Sequence, residues 1–434
     1  MPTVAFATLG CRLNQADTQG LQGALEARGY RLAHGGEAPD VVVVNTCTVT
    51  ARAEASDRQT IRRLARAHPH AHVVVTGCWA QTDPDAVARL PGVDLVVGNG
   101  DKHRLPDLLD GLLSGRGVRG VHVGDVSRIR TIPVMPLGSV AGRSRALLKI
   151  QEGCQHRCAF CIVPRARGGS RSQDPKVVLD QIQLLAEAGY REVTLTGVDL
   201  GSYGADLVPR TSLAALLRTM VDVRGLRWIR LSSLLPAYFT PELLDVIADC
   251  PLIAPHLHVP LQSGSDSVLR RMRRPYTTTM YRRLVERLIV SRPGLGLGAD
   301  VIVGYPMETD AEFAETMAIV DLLPFSYLHV FPYSDREGTE AARTAGHVDR
   351  VTISARSRAL RQLASRKNHA FRAALAGSRQ EVLVLETRDP MGRLVGLTGN
   401  YVEVTFDGPD GLMRSLQAVR VTDVGADETA GELV

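Results

Sequence analysis

The stretch Cys154-Gln-His-Arg-Cys158-Ala-Phe-Cys161 places three cysteines at spacings of four and three residues. An apolar, strand-like run from residue 146 to 150 precedes it, followed by Gly153. Thiolates are the protein ligands of iron–sulfur clusters, and three cysteines on a four-iron cluster leave one iron open for a small molecule. A zinc site and disulfides are the alternatives. A structural zinc site requires a fourth Cys or His, and His156 is badly spaced for that role.

The size and composition of the chain limit what kind of protein it can be. A chain of 434 residues, 44% hydrophobic and 22% charged, has the composition of a globular protein with roughly two to four domains. It contains no long uncharged apolar run, and its first residues lack the pattern of a signal peptide. We therefore expect a cytoplasmic protein without a membrane partner. Seven cysteines in such a chain indicate metal or redox chemistry.

The upstream segment, residues 1–115, alternates apolar strand-like runs with helical patterns. The four runs are Val4–Leu9, Val41–Val44, Val73–Thr76 and Asp94–Gly98. Continuous apolar strands separated by helices predict a parallel sheet with helices on both faces, here an N-terminal flavodoxin-like domain.

Three further cysteines, Cys11, Cys47 and Cys78, each follow a different predicted strand of this domain by one to three residues. The carboxyl ends of the strands in an open parallel sheet form one edge, where ligands bind. This placement predicts a second iron–sulfur cluster, again with three cysteines and an open iron. The alternative, three buried structural cysteines, does not account for their position after each strand.

The middle of the chain predicts a linker and a second α/β domain. Residues 116–139 are rich in Gly, Pro and Ser, which predicts a linker with one strand around Val121–Val123. From residue 140 to 375 the βα alternation resumes, and six units predict an open, partial (β/α)6 barrel. Helix starts are indicated at Asp174-Pro175, at Thr240-Pro241 and at Thr309, where Glu312 completes a capping box.

Small or polar residues end the strands of this predicted barrel. Gly197, Ser232, Gln262 and Gly304 occupy these positions. Chemistry in such folds lies at the carboxyl ends of the strands, so these residues are candidates to contact a polar ligand. The alternative is that small residues there only form tight turns. Cys250 falls at the end of a predicted helix and is interpreted as a buried structural thiol.

The tail, residues 376–434, predicts a small all-β barrel. Its strand-like runs are Glu381–Glu386, Tyr401–Phe406 and Ala418–Thr422, separated by Gly-rich turns. The tail holds more acidic residues than Arg, so any contact with RNA is expected through loops or aromatic residues such as Tyr401.

The cysteine pattern after a strand, with Phe160 before the last cysteine, resembles the radical S-adenosylmethionine (SAM) enzymes. The wider set of motifs resembles the methylthiotransferases among them, over almost the whole chain, and the tail resembles a TRAM domain. These motifs are Leu9-Gly-Cys-Arg-Leu-Asn14, Asn45-Thr-Cys-Thr-Val-Thr50, Thr76-Gly-Cys78, Cys154 to Cys161 with Ile162-Val-Pro-Arg-Ala-Arg-Gly168, and Pro260-Leu-Gln-Ser-Gly-Ser265.

Within that family the chain is most similar to the branch that modifies N6-threonylcarbamoyladenosine beside the tRNA anticodon. The first two cysteine motifs, the run Val193–Gly204 and the run Phe325–Ser334 carry this similarity. Four positions depart from the expected pattern, which has His, an acidic residue, Tyr and Gly there. They are Asp199, Leu235, Arg165 and Met307.

The resemblance implies a chemistry that agrees with the two cysteine trios. Cys154, Cys158 and Cys161 would hold a 4Fe-4S cluster that chelates SAM, whose reductive cleavage gives a 5′-deoxyadenosyl radical. Cys11, Cys47 and Cys78 would hold a second 4Fe-4S cluster that supplies sulfur, methylated by a further SAM. Phe160, Gly197, Ser232, Gln262 and Gly304 would contact SAM. All six cysteines would be catalytic and metal-binding.

The implied partners are a tRNA anticodon stem-loop, an electron donor such as flavodoxin or ferredoxin, and a sulfur donor. The target base must leave its stack, which costs little in an anticodon loop. Two basic stretches, residues 270–287 and 350–372, are candidates to neutralise phosphates; the alternative is a solvated helix face.

Two other functions stay open at this stage. The first is the same chemistry on isopentenyladenosine in tRNA or on a ribosomal-protein side chain. The second is a non-catalytic iron–sulfur regulator that binds RNA.

Overall fold

The computed structural model describes residues 1–33, 36–136 and 144–434. It contains an N-terminal parallel sheet, a central set of six main strands and a C-terminal closed barrel. This architecture confirms the fold class predicted from the sequence. The exact domain boundaries remain predictions.

The N-terminal sheet has six parallel strands in the order β2-β1-β3-β4-β5-β6, which extends the flavodoxin-like order by one strand. Its elements are β1 (Thr3–Thr8), α1 (Arg12–Glu26), β2 (Arg31–Leu32), β3 (Val41–Thr46), α2 (Ala51–Ala67), β4 (His72–Gly77), α3 (Cys78–Thr82), α4 (Pro84–Ala88), β5 (Val93–Val97), α5 (Leu105–Leu113) and β6 (Gly120–His122).

Valine-rich strands form the centre of this sheet because both of its faces are covered. The four valines of Val41–Val44 are at most 1% exposed. Alternate side chains along β3 enter two separate apolar clusters, one on each face of the sheet. The edge strand β2, only two residues long, was not predicted.

The predicted linker contributes a strand to the first sheet. β6 pairs with β5, Val121 lying opposite Val96, which confirms the strand expected in this region. Val126 and Ile132 are also buried, so the segment packs against its neighbours rather than crossing solvent. Residues 137–139 of the predicted linker and 140–143 of the predicted central domain lie outside the described residues.

The central domain has six main parallel strands, in two hydrogen-bonded groups, β7-β10-β11 and β12-β13-β14. Its elements are β7 (Ala146–Lys149), β8 (Gln151–Glu152), α6 (Val163–Arg167), β9 (Arg171–Ser172), α7 (Pro175–Glu187), β10 (Glu192–Thr196), α8 (Leu213–Thr219), β11 (Trp228–Leu231), α9 (Pro241–Asp249), β12 (His256–His258), α10 (Asp266–Arg271), α11 (Thr278–Ser291), β13 (Gly296–Val303), α12 (Asp310–Leu322), β14 (Tyr327–Pro332) and α13 (Arg350–Ala373).

The two groups of strands meet between β11 and β12, where the Leu234 amide donates to the His258 carbonyl at 2.9 Å. β7 and β14 each pair on one side only among the strands of this set, so the six strands form the open, partial barrel that the sequence predicted. The three predicted helix starts are confirmed, since the side chains of Asp174, Thr240 and Thr309 each accept a backbone N–H at the start of α7, α9 and α12.

The C-terminal segment forms a closed barrel in the order β15-β16-β17-β19-β18. Its strands are β15 (Arg379–Arg388), β16 (Leu394–Thr398), β17 (Glu403–Phe406), β18 (Leu416–Val424) and β19 (Thr429–Leu433). Three of the five were predicted from the sequence, and β16 and β19 were not.

Tyr401 joins this barrel to the rest of the protein. Its ring stacks on His256 at the start of β12, with ring centroids 4.5 Å apart, and the Arg230 guanidinium lies 5.0 Å from the ring centroid. Arg12 of the N-terminal domain donates to the Tyr401 hydroxyl at 2.6 Å. These internal contacts hold the Tyr401 ring in place, and the suggestion that it contacts RNA stays a prediction.

Candidate functional site

The cysteines of the N-terminal domain lie where three neighbouring strands end. Cys11 follows β1, Cys47 follows β3 and Cys78 opens α3 after β4. The loop before Cys11 passes close to Cys47, because a Cβ atom on Gly10 would lie 2.9 Å from Cys47 Sγ. Gly10 also has a φ of +92°, which favours glycine. The structure thus brings together this trio as the sequence predicted.

Two thiols of this trio, those of Cys47 and Cys78, are buried, whereas Cys11 is exposed. Burial, assisted by the nearby Cys78 and Cys11 thiols, raises the pKa of Cys47 to about 12. The Cys47 amide donates to Asp57 Oδ2 at 2.7 Å, and burial raises the pKa of that carboxyl to about 7. Because a bound metal deprotonates its thiol ligands, this pocket favours thiolates only when a cation occupies it.

The second trio lies in the loop between β8 and α6. A Cβ atom on Gly153 would lie 2.0 Å from the Gly169 carbonyl oxygen, so only glycine allows the chain to turn here. The Cys154 amide donates to the Gly168 carbonyl at 3.1 Å, which closes the loop. Burial raises the pKa of Cys154 to about 12 and that of Cys161 to about 11.

The spacing of the thiols separates two kinds of metal site. Zinc ligated by sulfur at about 2.3 Å holds its ligands roughly 4 Å apart. In neither trio do all three Sγ atoms lie within 4.8 Å of one another. Both trios are therefore too open for a single ion, and their thiol donors fit a larger cluster.

Three side chains brace the cysteine loop, and one of them departs from the family pattern. The Tyr238 hydroxyl donates to Asp199 Oδ2 at 2.8 Å and lies 2.8 Å from Nε2 of His156. The Asp199 carboxylate also lies 3.5 Å from that nitrogen. His156 lies between Cys154 and Cys158 in the cysteine loop. Asp199 therefore contacts this loop at His156.

The other departures lie around the rim of the barrel. Met307 has a φ of +64°, which explains why glycine is expected there, and is 55% exposed. Arg165 donates to the Glu337 carbonyl at 2.8 Å. Leu235 is partly buried at the start of the turn after β11.

The predicted SAM-contact residues lie at the strand ends as expected, but they differ in what they offer. Ser232 Oγ and Gln262 Oε1 are buried and have no hydrogen-bond partner. Such atoms are costly unless a ligand or water satisfies them. The Phe160 ring packs edge-on against Tyr305, with centroids 6.5 Å apart, and stays partly exposed.

The two glycines among these residues have structural reasons of their own. A Cβ atom on Gly197 would lie 2.7 Å from Gln151 Oε1, and one on Gly304 would lie 2.3 Å from Ile353 of α13. The Gly304 amide donates to Glu308 at 2.7 Å and is not free for a ligand. Cys250 lies apart from both trios, buried at the end of α9 as predicted.

Asn99 links the two cysteine loops, and the sequence analysis gave it no role. Its Nδ2 atom donates to the Ala166 carbonyl at 2.8 Å and lies 3.6 Å from Cys78 Sγ. Ala166 belongs to α6, which follows Cys161. Asn99 occupies the position after β5 that corresponds to those of the cysteines after the other strands, and this was its only signal in the sequence.

A second group missed from the sequence lies inside the barrel. Asp300 of β13 accepts hydrogen bonds at 3.1 Å from His258 of β12 and from His329 of β14. Burial raises the pKa of Asp300, but the hydrogen bonds and charge interactions with the two histidines together outweigh it and hold the pKa below its usual value. These side chains give the barrel a polar interior beneath Gln262.

Some arginines of the two basic stretches have partners within the protein, and others are exposed to solvent. Fewer arginines than the sequence suggested are therefore candidates to bind RNA. Arg271 pairs with Glu312, Arg274 lies 3.2 Å from Cys158 Sγ, and Arg356 pairs with Glu308. Arg372 binds carbonyl groups of the C-terminal barrel. The exposed arginines are Arg270, Arg273, Arg282, Arg283, Arg287, Arg350, Arg358, Arg361 and Arg366.

None of the helices that the structure describes is long and apolar enough to cross a membrane.

Residues 3–98 match the uncharacterized protein family UPF0004, and residues 148–320 match the radical SAM superfamily. A TsrM structure from Kitasatospora setae, a radical SAM methyltransferase, aligns with a TM-score of 0.56 at 20% identity, covering 76% of this chain and 73% of that one. This likeness concerns the fold.

Two relatives match nearly the whole sequence. The threonylcarbamoyladenosine tRNA methylthiotransferase MtaB of Bacillus subtilis (strain 168) is 37% identical over 438 residues, covering 100% of this chain and 97% of the relative. The tRNA-2-methylthio-N(6)-dimethylallyladenosine synthase of Parafrankia sp. (strain EAN1pec) is 37% identical over 420 residues, covering 94% and 84%. The chain therefore belongs to the tRNA methylthiotransferases of the radical SAM superfamily.

Proposed function

We propose that this enzyme adds a methylthio group to C2 of N6-threonylcarbamoyladenosine beside the anticodon of tRNA. One observation carries the proposal: two open trios of thiols lie at the carboxyl ends of two separate parallel sheets, and Asn99 joins their loops. A reaction that forms a radical and inserts sulfur needs two such sites beside one substrate.

The two trios have separate roles in this proposal. Cys154, Cys158 and Cys161 hold the 4Fe-4S cluster that binds SAM, and Cys11, Cys47 and Cys78 hold the second 4Fe-4S cluster. When bound, the first cluster with SAM supplies a carbon radical that removes the C2 hydrogen, and the second supplies sulfur. All six cysteines are in this sense catalytic.

The protein's own residues orient these groups. Ser232 and Gln262 bring buried, unpartnered oxygens to the strand ends, where the polar groups of SAM satisfy them. Phe160 places an apolar ring edge at the first cluster, while Gly197 and Gly304 keep the floor of the site close to the strands. The Asp199–Tyr238–His156 bonds fix the cysteine loop against the barrel.

The partners follow from the substrate and the redox step. The exposed arginines of α11 and α13 contact the phosphates of the anticodon stem-loop, and the less exposed Arg271, Arg274, Arg356 and Arg372 do not. A flavodoxin or ferredoxin supplies electrons, and a separate donor restores the sulfur. Because its substrate is tRNA, we place the enzyme in the cytoplasm.

The sequence motifs around the cysteines and along β14 favour threonylcarbamoyladenosine over isopentenyladenosine as the substrate. The MtaB relative carries the first substrate in its name and matches over its full length. The dimethylallyladenosine synthase relative shows that the sibling activity is the alternative to test.

Mass spectrometry of tRNA nucleosides from a strain that lacks this protein tests the proposal. We expect loss of the 2-methylthio form of threonylcarbamoyladenosine and recovery of the unmodified nucleoside. Loss of the methylthio form of isopentenyladenosine instead would assign the sibling substrate. Reduced, reconstituted protein with SAM should release 5′-deoxyadenosine, whereas a non-catalytic regulator would release none.

A further inference from the structure

A network of buried charged side chains lies between the two cysteine trios. It joins α1 and the segment after β5 in the N-terminal domain to β7, β8, α6 and β9 of the central domain. Each ionised side chain in it is at most 18% exposed. Its members are Asp17, Lys102, Lys149, Glu152, Arg167 and Arg171.

The contacts in this network are short and shared. Asp17 accepts from Lys102 at 2.7 Å, from Lys149 at 2.6 Å and from Arg167 at 3.1 Å. Glu152 accepts from Lys149 at 3.0 Å and from Arg167 at 2.8 Å, and lies 3.4 Å from Arg171. Two carboxylates therefore serve four cations.

The charges do not balance within the protein. Four cations and two carboxylates leave two positive charges uncompensated, and no other carboxylate in the described part of the chain forms an ion pair with these cations. A buried charge without a counter-charge is costly, by several kcal/mol in typical cases. An anionic group beside the network would offset this cost.

The cysteine trios lie at both ends of the network. Lys102 and Arg167 are close enough to the Cys78 thiol to interact with its charge, and Arg167 also interacts with Cys11. Glu152 comes two residues before Cys154, and Arg167 follows Cys161 by six. Thiolates that bind a cluster carry the negative charge that the network lacks.

We propose that the excess positive charge of this network is the counter-charge of the cluster on Cys11, Cys47 and Cys78 and raises its reduction potential. The inference rests on the proposed function, which places a cluster there. Reduction adds an electron, so an uncompensated positive charge at short range stabilises the reduced form. The excess positive charge is set by three positioning residues, Lys102, Arg167 and Asp17.

Substitutions that change the charge in opposite directions test the proposal. Lys102→Met should lower the midpoint potential of that cluster, reducing its reduced-to-oxidised ratio about tenfold at a fixed potential, or ~59 mV for a one-electron couple. Asp17→Asn should shift the potential upward. The double variant, which removes one charge of each sign, should return close to wild type, and Lys102→Arg is the matched control.

The measurement is a redox titration of the anaerobically reconstituted enzyme followed by electron paramagnetic resonance, with iron content determined for each variant. Cys11→Ala identifies which signal belongs to the N-terminal trio. Should Lys102→Met not fold, Arg171→Gln removes a positive charge at the edge of the network. Single variants that shift the potential in the same direction, or not at all while both clusters load, overturn this inference alone. A wild-type chain that binds no cluster overturns the proposed function.

Discussion

In the proposed function each cysteine trio has its own chemical task, and single substitutions should separate the two. Cys158→Ala removes a ligand of the SAM-binding cluster, so SAM cleavage and tRNA thiolation should both be lost. Cys11→Ala leaves that cluster intact, so the variant should still release 5′-deoxyadenosine while forming no methylthio nucleoside. Chromatography of both products from one reaction measures this. Equal loss of SAM cleavage in the two variants would contradict the division of roles.

Gly201 controls the brace behind the SAM cluster loop. A Cβ atom there would lie 2.4 Å from Cδ2 of Tyr238, so Gly201→Ala should push the ring away from Asp199 and His156. Overpacking of this kind costs about 1–3 kcal/mol. Thermal unfolding of the reconstituted enzyme should show a lowered midpoint and reduced iron content.

Gly169→Ala is the matched control, because nothing lies within 4 Å of its added methyl group. It should behave like wild type. A Gly201→Ala variant with unchanged iron content and stability would show that the Tyr238 contacts do not hold the loop.

The six cysteines stood out in the sequence for two reasons. Cys154, Cys158 and Cys161 have a characteristic spacing after one strand, and the other three each follow a recognisable strand by one to three residues. Asn99 stands at an equivalent position, yet nothing in the sequence assigned it a contact. The bonds of Tyr238 were also unpredictable, since they join residues 39 and 82 positions apart. Local patterns therefore locate candidate metal ligands, whereas the hydrogen bonds around these residues depend on the assembled fold.

At the scale of elements, Glu312 anchors the start of α12. It completes the capping box with Thr309 and accepts hydrogen bonds from both terminal guanidinium nitrogens of Arg271, each at 2.9 Å. The hydrogen bonds from Arg271 outweigh burial and hold the pKa of Glu312 at about 2. Because the folded pKa lies below the ordinary value of 4.5, this contribution to stability is present above pH 4.5 and is lost as the pH falls towards 2.

Glu312→Gln should therefore lower the thermal midpoint at pH 6, and the difference from wild type should shrink between pH 4.5 and 2.5. Glu286→Gln, on the exposed face of α11, is the control and should change stability by less than about 0.5 kcal/mol. A difference for Glu312→Gln that is independent of pH would contradict the charge-based account.

Long, regular elements were predicted well, and short or interrupted ones were not. The strands expected at Val41–Val44 and Val73–Thr76 are β3 and β4. β16 was missed because Gly396 interrupts its apolar run, although the barrel requires glycine there: an added Cβ atom would lie 2.6 Å from Val382 Cγ2. β19 was missed for the same reason, because Gly431 lies within it. In α13 the sequence showed the arginines but not that Arg356 has an acidic partner 48 residues away.

At the scale of the whole molecule, Tyr401 contacts all three domains. Tyr401→Ala removes the stacking on His256 and the hydrogen bond from Arg12, and should destabilise the protein by about 3 kcal/mol. Tyr401→Phe keeps the ring and loses only the hydrogen bond, at a cost of about 1 kcal/mol. Thermal unfolding and limited proteolysis at the start of the C-terminal barrel measure both. Equal effects of the two variants would contradict the stacking role.

The proposed reaction requires two open sets of thiols beside one substrate, and the iron content of the anaerobically reconstituted chain measures whether both hold a cluster. We expect about eight irons per chain. Each chain with one trio replaced by alanine should keep about four. A wild-type chain that holds only about four irons, with one trio dispensable for loading, would contradict the account.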